Sequence, residues 1–523
     1  MKSFRLDRTL KSFALHFTAK DKPSRGPAVT WGASREFTGA RSSRLEMDWH
    51  PSSTSADAEL VSAITKLRNR SRDLLRNNDY ARGAVAVIVN NVIGQGIRFQ
   101  AQIPRARGAG VDDRRNEALE YQFKRWSRSC DTTGRLSFCQ FQRLALRSLI
   151  ESGEVFIRKH YNGPNIPFTL ELIEADRVEV DYGLSPSQSA SGDIIKMGIE
   201  QDPYGRPRAY YLRRFHPGDI VFHPRNIVGT SGPYSLERVP ADQIIHLFIP
   251  DRPGQSRGIP WMTSSLQRLR NLGGYEEAEL VAARASAAVM GFRVTKDPDL
   301  TERDSYGDPV DSLEPGTIKE LAPGEEFVGF DPSRPNQSFE PFIHACLRGL
   351  AANLGVDFES ISRDFSQSNY SSSRLALLQV RETYQSIQAW FIESFCQPVL
   401  EEWLDAAVLS GALQFADYEL NPDRYSQVRW RPRGWSWVDP AKETEAAVTA
   451  IDYGLSTLTR ELAKQGLDLE EVLQERAREL QLAQDLGLSI GPPEEEDDLP
   501  TLSDSRAFSR WLSHLIEDEL DED

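Results

Sequence analysis

At 523 residues, with 62 Lys/Arg against 77 Asp/Glu and a net charge of −15, the chain has room for about two to four domains with large cores. Four cysteines (Cys130, Cys139, Cys346, Cys396) without CxxC or zinc spacing exclude a disulfide scaffold, and buried free thiols are expected. The longest purely apolar run, residues 84–89, is too short to span a bilayer, and no apolar signal region stands near the start, so a soluble, cytosolic protein is expected. The charge is unevenly spread. Residues 1–150 carry 27 Lys/Arg and 14 Asp/Glu, and the remainder carries 35 and 63. A tight, sequence-independent DNA binder would be basic more broadly, because its affinity comes from neutralised phosphates. Any DNA near this protein should slide or be repelled.

Residues 1–55, rich in Ser, Arg, Gly and Thr, read as a mobile arm with local order near Trp31 and Trp49. Leu60, Ile64, Leu67 and Leu74 then mark an amphipathic helix over 57–78. Its other faces carry Lys66, Arg68, Arg70, Arg72 and Arg76, which suit either a solvated basic face or a contact with phosphate or an acidic partner. A second helix, about 80–92, runs into Gly94-Gln-Gly96 and a strand over 97–103; that Gly-x-Gly lacks the remaining parts of a dinucleotide motif and is a turn. Helices follow near 113–128 and 138–152, the latter with a Ser137/Gln140 capping box and Gly153 as its stop.

The period then changes. Residues 154–161, 168–173, 194–201, 208–213 and 243–249 read as strands separated by turns, which makes the class α+β. A helix near 262–290 presents Ala278, Ala282, Ala285 and Val289 on one small-residue face. Residues 291–338 are Pro- and Gly-rich with short strands.

Ile343, Cys346, Leu350 and Leu354 mark a helix that Gly355 should close, and Val380, Tyr384, Ile387, Phe391 and Phe395 mark another with N-caps available at Ser371–Ser373. Between them lies Gly355–Arg374, a polar, hydroxyl-rich segment with little that could catalyse a reaction. It reads either as an ordinary corner or as a presented element, such as a finger in a channel. Trp430, Trp435 and Trp437 sit in a short β-like stretch, residues 440–486 are helical, and an acidic tail beginning at Gly491 is expected to be disordered apart from a short helix over 508–516.

No P-loop, G-x-S-x-G or H-E-x-x-H motif is present. The eight histidines are scattered, His216 and His223 lack metal-ligand spacing, and Asp242 with His246 suits a core or surface role. No catalytic residue, metal site or cofactor is expected.

Several stretches, in this order, resemble the portal proteins of tailed bacteriophages, in the lambda-like branch. They are Leu67–Asn78, Asn90–Ile97, Gly153-Glu-Val-Phe156, Leu172-Ile-Glu-Ala-Asp176, Gly198-Ile-Glu200 with Gly205-Arg-Pro207, Asp251–Trp261, Asp364–Arg374 and Asp439-Pro-Ala-Lys442. The resemblance runs over roughly residues 30–490.

The resemblance implies an α+β portal fold of wing, stem, clip and crown. A mobile arm (1–29) would precede the wing (30–261), a stem helix (262–290), the clip (291–339) and a second stem helix (340–355). A tunnel loop (356–373), a tunnel helix (374–403), the rest of the wing (404–440), the crown (441–490) and the acidic tail (491–523) would follow. It further implies a ring of about twelve copies at one capsid vertex of the virion, assembled in the host cytoplasm, through which double-stranded DNA is packaged and ejected. Its partners would be the terminase large subunit, a head–tail adaptor, and the major capsid and scaffold proteins. Ser366, Gln367, Ser368, Asn369, Tyr370, Ser371 and Arg374 would then face DNA, and the basic helix would make contacts outside the lumen. The competing readings are a soluble adaptor or minor capsid protein without a channel, and a DNA-processing enzyme such as a nuclease, which should show clustered carboxylates holding Mg²⁺.

Overall fold

The computed structural model describes residues 53–105, 110–163, 165–183, 192–219, 236–288, 291–295, 325–329, 338–366, 369–435, 440–467 and 469–486. The chain divides into two units, Met1–Thr54 and Ser55–Asp523, and the architecture below is that of the second. The expected N-terminal arm, Trp31, Trp49, most of the clip and the acidic tail lie outside the described residues.

The helical opening is built from α1 (Ala56–Asn77) and α2 (Asp79–Val92). Ser55 caps α1, and Asn78 serves both helices: its backbone closes α1 and its side chain accepts from the Ala81 N–H to start α2. β1 (Arg98–Ala101), α3 (Asp113–Trp126) and α4 (Phe138–Ser152) follow. The predicted Ser137/Gln140 capping box is present, and Gly153 closes α4 at φ 84°.

Seven strands come next: β2 (Glu154–His160), β3 (Thr169–Ile173), β4 (Ile194–Lys196), β5 (Ile199–Gln201), β6 (Pro207–Arg213), β7 (Leu236–Pro240) and β8 (Ile244–Phe248). They form two antiparallel sheets, ordered β3-β2-β8 and β4-β5-β6-β7. The sequence suggests one strand over 194–201, whereas the structure has a hairpin. Met197 (φ 46°) and Gly198 (φ 79°) turn the chain, as a two-residue hairpin loop requires, and a Cβ on Gly198 would sit 2.4 Å from the Glu179 carbonyl oxygen.

The remaining elements are α5 (Leu266–Ala288), β9 (Gly291–Thr295), β10 (Glu325–Gly329), α6 (Phe339–Leu354), α7 (Phe358–Ser362), α8 (Tyr370–Phe391), α9 (Gln397–Leu409), α10 (Pro422–Tyr425), β11 (Val428–Arg431), α11 (Pro440–Asp452), α12 (Leu458–Lys464) and α13 (Leu469–Asp485). β9 and β10 pair antiparallel, as do β1 and β11. The second pairing brings residues 428–431 back beside the early helices. A π-helical turn, Ile392–Cys396, joins α8 to α9, with the Gln397 N–H donating to the Ile392 carbonyl five residues back. Pro398, the next residue, cannot donate within a regular helix, and the wider turn accommodates the missing bond.

The main core lies where α2, α3 and α4 meet the α8–α9 helix. Phe123 packs edge-on against Phe99, Phe138 and Trp403, and Phe395 stacks on Phe138 and Phe141. Each such ring contributes on the order of 2–3 kcal/mol through burial. Buried Gln142 uses both ends of its amide on Ile97, accepting from its N–H and donating to its carbonyl. Gln388 donates to the Val92 and Arg433 carbonyls, so α8 satisfies a carbonyl at the end of α2. A smaller core of Phe156, Ile173, Tyr210, Leu212 and Val239 lies between the two sheets.

Candidate functional site

The polar segment between α6 and α8 is anchored at both ends. Gly355 closes α6 at φ 65°, and a Cβ there would sit 3.2 Å from the Thr383 methyl on α8, so the chain turns close against that helix. Val356 and Ile361 are buried, and Asp357 caps α7 through the Ser360 N–H at 2.8 Å. Arg363 leaves α7 in a left-handed conformation (φ 59°). Asp364 Oδ1 then accepts from the Ser366 N–H at 2.9 Å, which sets a tight turn.

Only the middle of the segment is free of regular structure. The sequence suggests loop from 356 to 373, but α7 takes up Phe358–Ser362 and α8 begins at Tyr370 rather than at the Ser371–Ser373 caps. Phe365, Ser366 and Asn369 are exposed. Gln367 and Ser368 lie outside the described residues, as do the side chains of Tyr370 and Ser371, whose backbones form the first turn of α8. Arg374 is half-buried and pairs at 3.5 Å with Glu443 of α11, in the same chain. Further along α8, Arg381 lies over the Trp435 ring and Tyr384 stacks on it. The loop therefore stands on a helix braced from its side.

The basic helix is corrected by the structure. Lys66, Arg70 and Arg76 are exposed, but Arg68 is fully buried and Arg72 half-buried. Arg68 follows Ile64 by four residues and so continues the apolar stripe inward. It bonds to Glu154 and lies 3.7 Å from Asp176, while Arg72 bonds to Asp176 and, at 3.1 Å, to Ser152 Oγ.

Glu154 is the centre of this buried cluster, and sequence reasoning did not single it out. Both its oxygens are fully used. Oε1 accepts from Arg68 and from Arg257 Nε at 2.7 Å, and Oε2 accepts from the Gly258 N–H and faces His246 Nε2, both at 2.9 Å. Burial alone pushes the Glu154 carboxyl up. The guanidinium groups of Arg257 and Arg68 and the His246 bond outweigh it and hold the carboxyl well below the usual carboxylate range. Burial lowers His246, and it lowers Arg68 to about 10, which leaves the guanidinium charged at neutral pH.

Gly153 and Gly258 allow the approach. A Cβ on Gly153 would lie 2.1 Å from the Ile259 carbonyl carbon, and one on Gly258 would lie 2.1 Å from the Gly153 oxygen. The signal was available as Gly153-Glu154 and Arg257-Gly258, an acid and a base each beside a glycine, about a hundred residues apart.

The family model described as the lambda family of phage portal proteins matches residues 42–388. The chain is 31% identical to the probable portal protein of Halomonas phage phiHAP-1, with 95% of this chain and 98% of that protein covered. It is 22% identical to portal protein B of Escherichia phage lambda, over 85% and 88% of the two chains. Among solved structures, the neck of an empty gene transfer agent (GTA) particle superposes with a TM-score of 0.40 at 15% identity, over 76% of this chain and 93% of the other.

Proposed function

Because the chain belongs to the lambda family of phage portal proteins, a structural family of head–tail connectors, we propose that it forms a closed ring of about twelve copies at one vertex of the capsid. Double-stranded DNA enters and leaves the head through the ring. In this reading residues 30–261 and 404–440 form the wing, α5 and α6 the stem, residues 291–339 the clip and residues 441–490 the crown. Residues 356–373 present the loop that faces DNA. The clip takes the terminase large subunit during packaging and a head–tail adaptor afterwards, and the major capsid and scaffold proteins surround the wing.

The observation that carries the channel reading is the exposed, uncharged stretch around Ser366 and Asn369, rooted between buried Ile361 and the braced helix α8. Hydroxyl and amide groups can touch phosphates transiently, without the salt-sensitive grip of a Lys/Arg row. Lys66, Arg70 and Arg76 are left for contacts with neighbouring subunits or the capsid, outside the lumen. Light scattering and negative-stain imaging of the purified protein test the ring. A closed particle of about twelve chains with a duplex-wide hole is expected. Monomers or dimers across salt and concentration would refute it.

A further inference from the structure

A histidine and two carboxylates converge where α6 meets the start of the exposed loop. Glu340 and His344 stand one turn apart on α6, and Asp364 opens the loop twenty residues later. His344 Nε2 lies 3.6 Å from Asp364 Oδ2 and 4.0 Å from Glu340 Oε1, too far for hydrogen bonds. One donor atom from each of the three lies within 4.8 Å of the others. Ligands around a tetrahedral zinc ion stand roughly 3.3 Å apart, given metal–ligand bonds of about 2.0–2.1 Å. Binding an ion there requires the three donors to draw in to that spacing.

We infer that Glu340, His344 and Asp364 bind a divalent transition-metal ion of the zinc class, which ties the loop to the stem helix. One nitrogen and two oxygens form a donor set that such ions accept, and hard cations such as Mg²⁺ favour oxygen alone. The two oxygens of Asp364 have separate tasks: Oδ1 holds the Ser366 turn and Oδ2 faces the histidine. Glu340 is 71% exposed, which leaves room for water in a fourth position, whereas His344 is 15% exposed and packs edge-on against Phe358. Arg348, one turn beyond His344, lies over the same Phe358 ring from 5.2 Å.

A second cluster, Glu174, Asp176 and His216, makes the contrast. There Asp176 already accepts from Arg72 and lies close to Arg68, so a cation would have to compete with two fixed guanidinium groups. The first site stands whether or not the loop faces DNA.

The test is a titration of the full-length protein with Co²⁺, followed by its visible absorption, with Zn²⁺ uptake measured by elemental analysis. One equivalent per chain is expected. His344→Ala and Asp364→Asn should each weaken uptake by at least about tenfold, since even changes around a ligand cost about that much. His216→Ala should leave it unaltered. With zinc bound, the Ser366 amide should exchange more slowly with solvent. Failure to bind at micromolar metal, or binding that survives either ligand change, would overturn the site. Unchanged Ser366 exchange in the zinc-loaded protein would overturn the tie.

Discussion

Polar groups serve opposite ends in two parts of this molecule. Around Glu154, four charged or titratable side chains from α1, β2, β8 and the 251–258 stretch are packed out of water, and each carboxylate oxygen is satisfied. Ser366 and Asn369, by contrast, are exposed, and the Ser366 N–H donates to Asp364. The first arrangement fixes the relation of an early helix to two sheets, because a buried ion cluster tolerates one geometry. The second keeps its polar side chains at the surface.

The largest effect is expected at the frame. Glu154→Ala removes the shared counter-charge of two buried guanidinium groups and should cost about 3–5 kcal/mol, read as a lower denaturant midpoint. Arg68→Ala should fall in the same range. A loss under about 1 kcal/mol in both would show that water reaches the cluster and would weaken the contrast with the loop.

The same cluster predicts a pH response. Glu154 is depressed in the folded state, so its contribution is present above the unfolded value of about 4.3 and is lost as pH falls below it. His246 is also depressed, so keeping it neutral inside costs stability as pH falls below about 6.5, the value in the unfolded chain. Both act in one direction. Stability should decline on acidification in two stages, and Glu154→Gln should make the lower stage shallower, the rest of it coming from other depressed carboxylates such as Asp176 and Glu171. Unfolding curves from pH 7.5 to 3.5 check this.

Smaller effects on folding but large ones on function are expected at the loop. Ser366→Lys with Asn369→Lys should leave the unfolding midpoint nearly unchanged, since both side chains are exposed. It should slow DNA translocation in a packaging assay, more at low salt than at high, because added lysines grip phosphates. The smallest change to stability should come from Lys66→Ala, Arg70→Ala and Arg76→Ala together, with reduced incorporation into procapsids as the readout. Arg68 and Arg72 are unsuitable for that test because they belong to the frame.

Long helices were readable from spacing because their apolar positions repeat within the chain: 138–152, 262–290 and 340–355 match α4, α5 and α6 closely. The hairpin at 197–198 was not, because a short β-turn without Asn-Gly looks like continuous strand. Arg68 stands among residues that suit a solvated face or a contact with phosphate or an acidic partner, and nothing in the local charge pattern marks it as buried. Its acidic partners, Glu154 and Asp176, lie 86 and 108 residues further on, and periodicity says nothing about distant pairs. Arg374, which the resemblance places among the residues facing DNA, pairs with Glu443 of its own chain, an acid 69 residues on that no local spacing points to. Glu340 and His344 share the i, i+4 spacing of a metal pair, but the third donor, Asp364, becomes a neighbour only once Gly355 and α7 have turned the chain back.

Electron cryo-microscopy of the assembled oligomer would give the distance of residues 364–370 from the symmetry axis. Residues 364–370 are expected to line the narrowest part of the channel, with the Glu154 cluster well outside it in the wing. A map that places the loop on the outer surface, or an oligomer without an axial channel wide enough for a duplex, would contradict it.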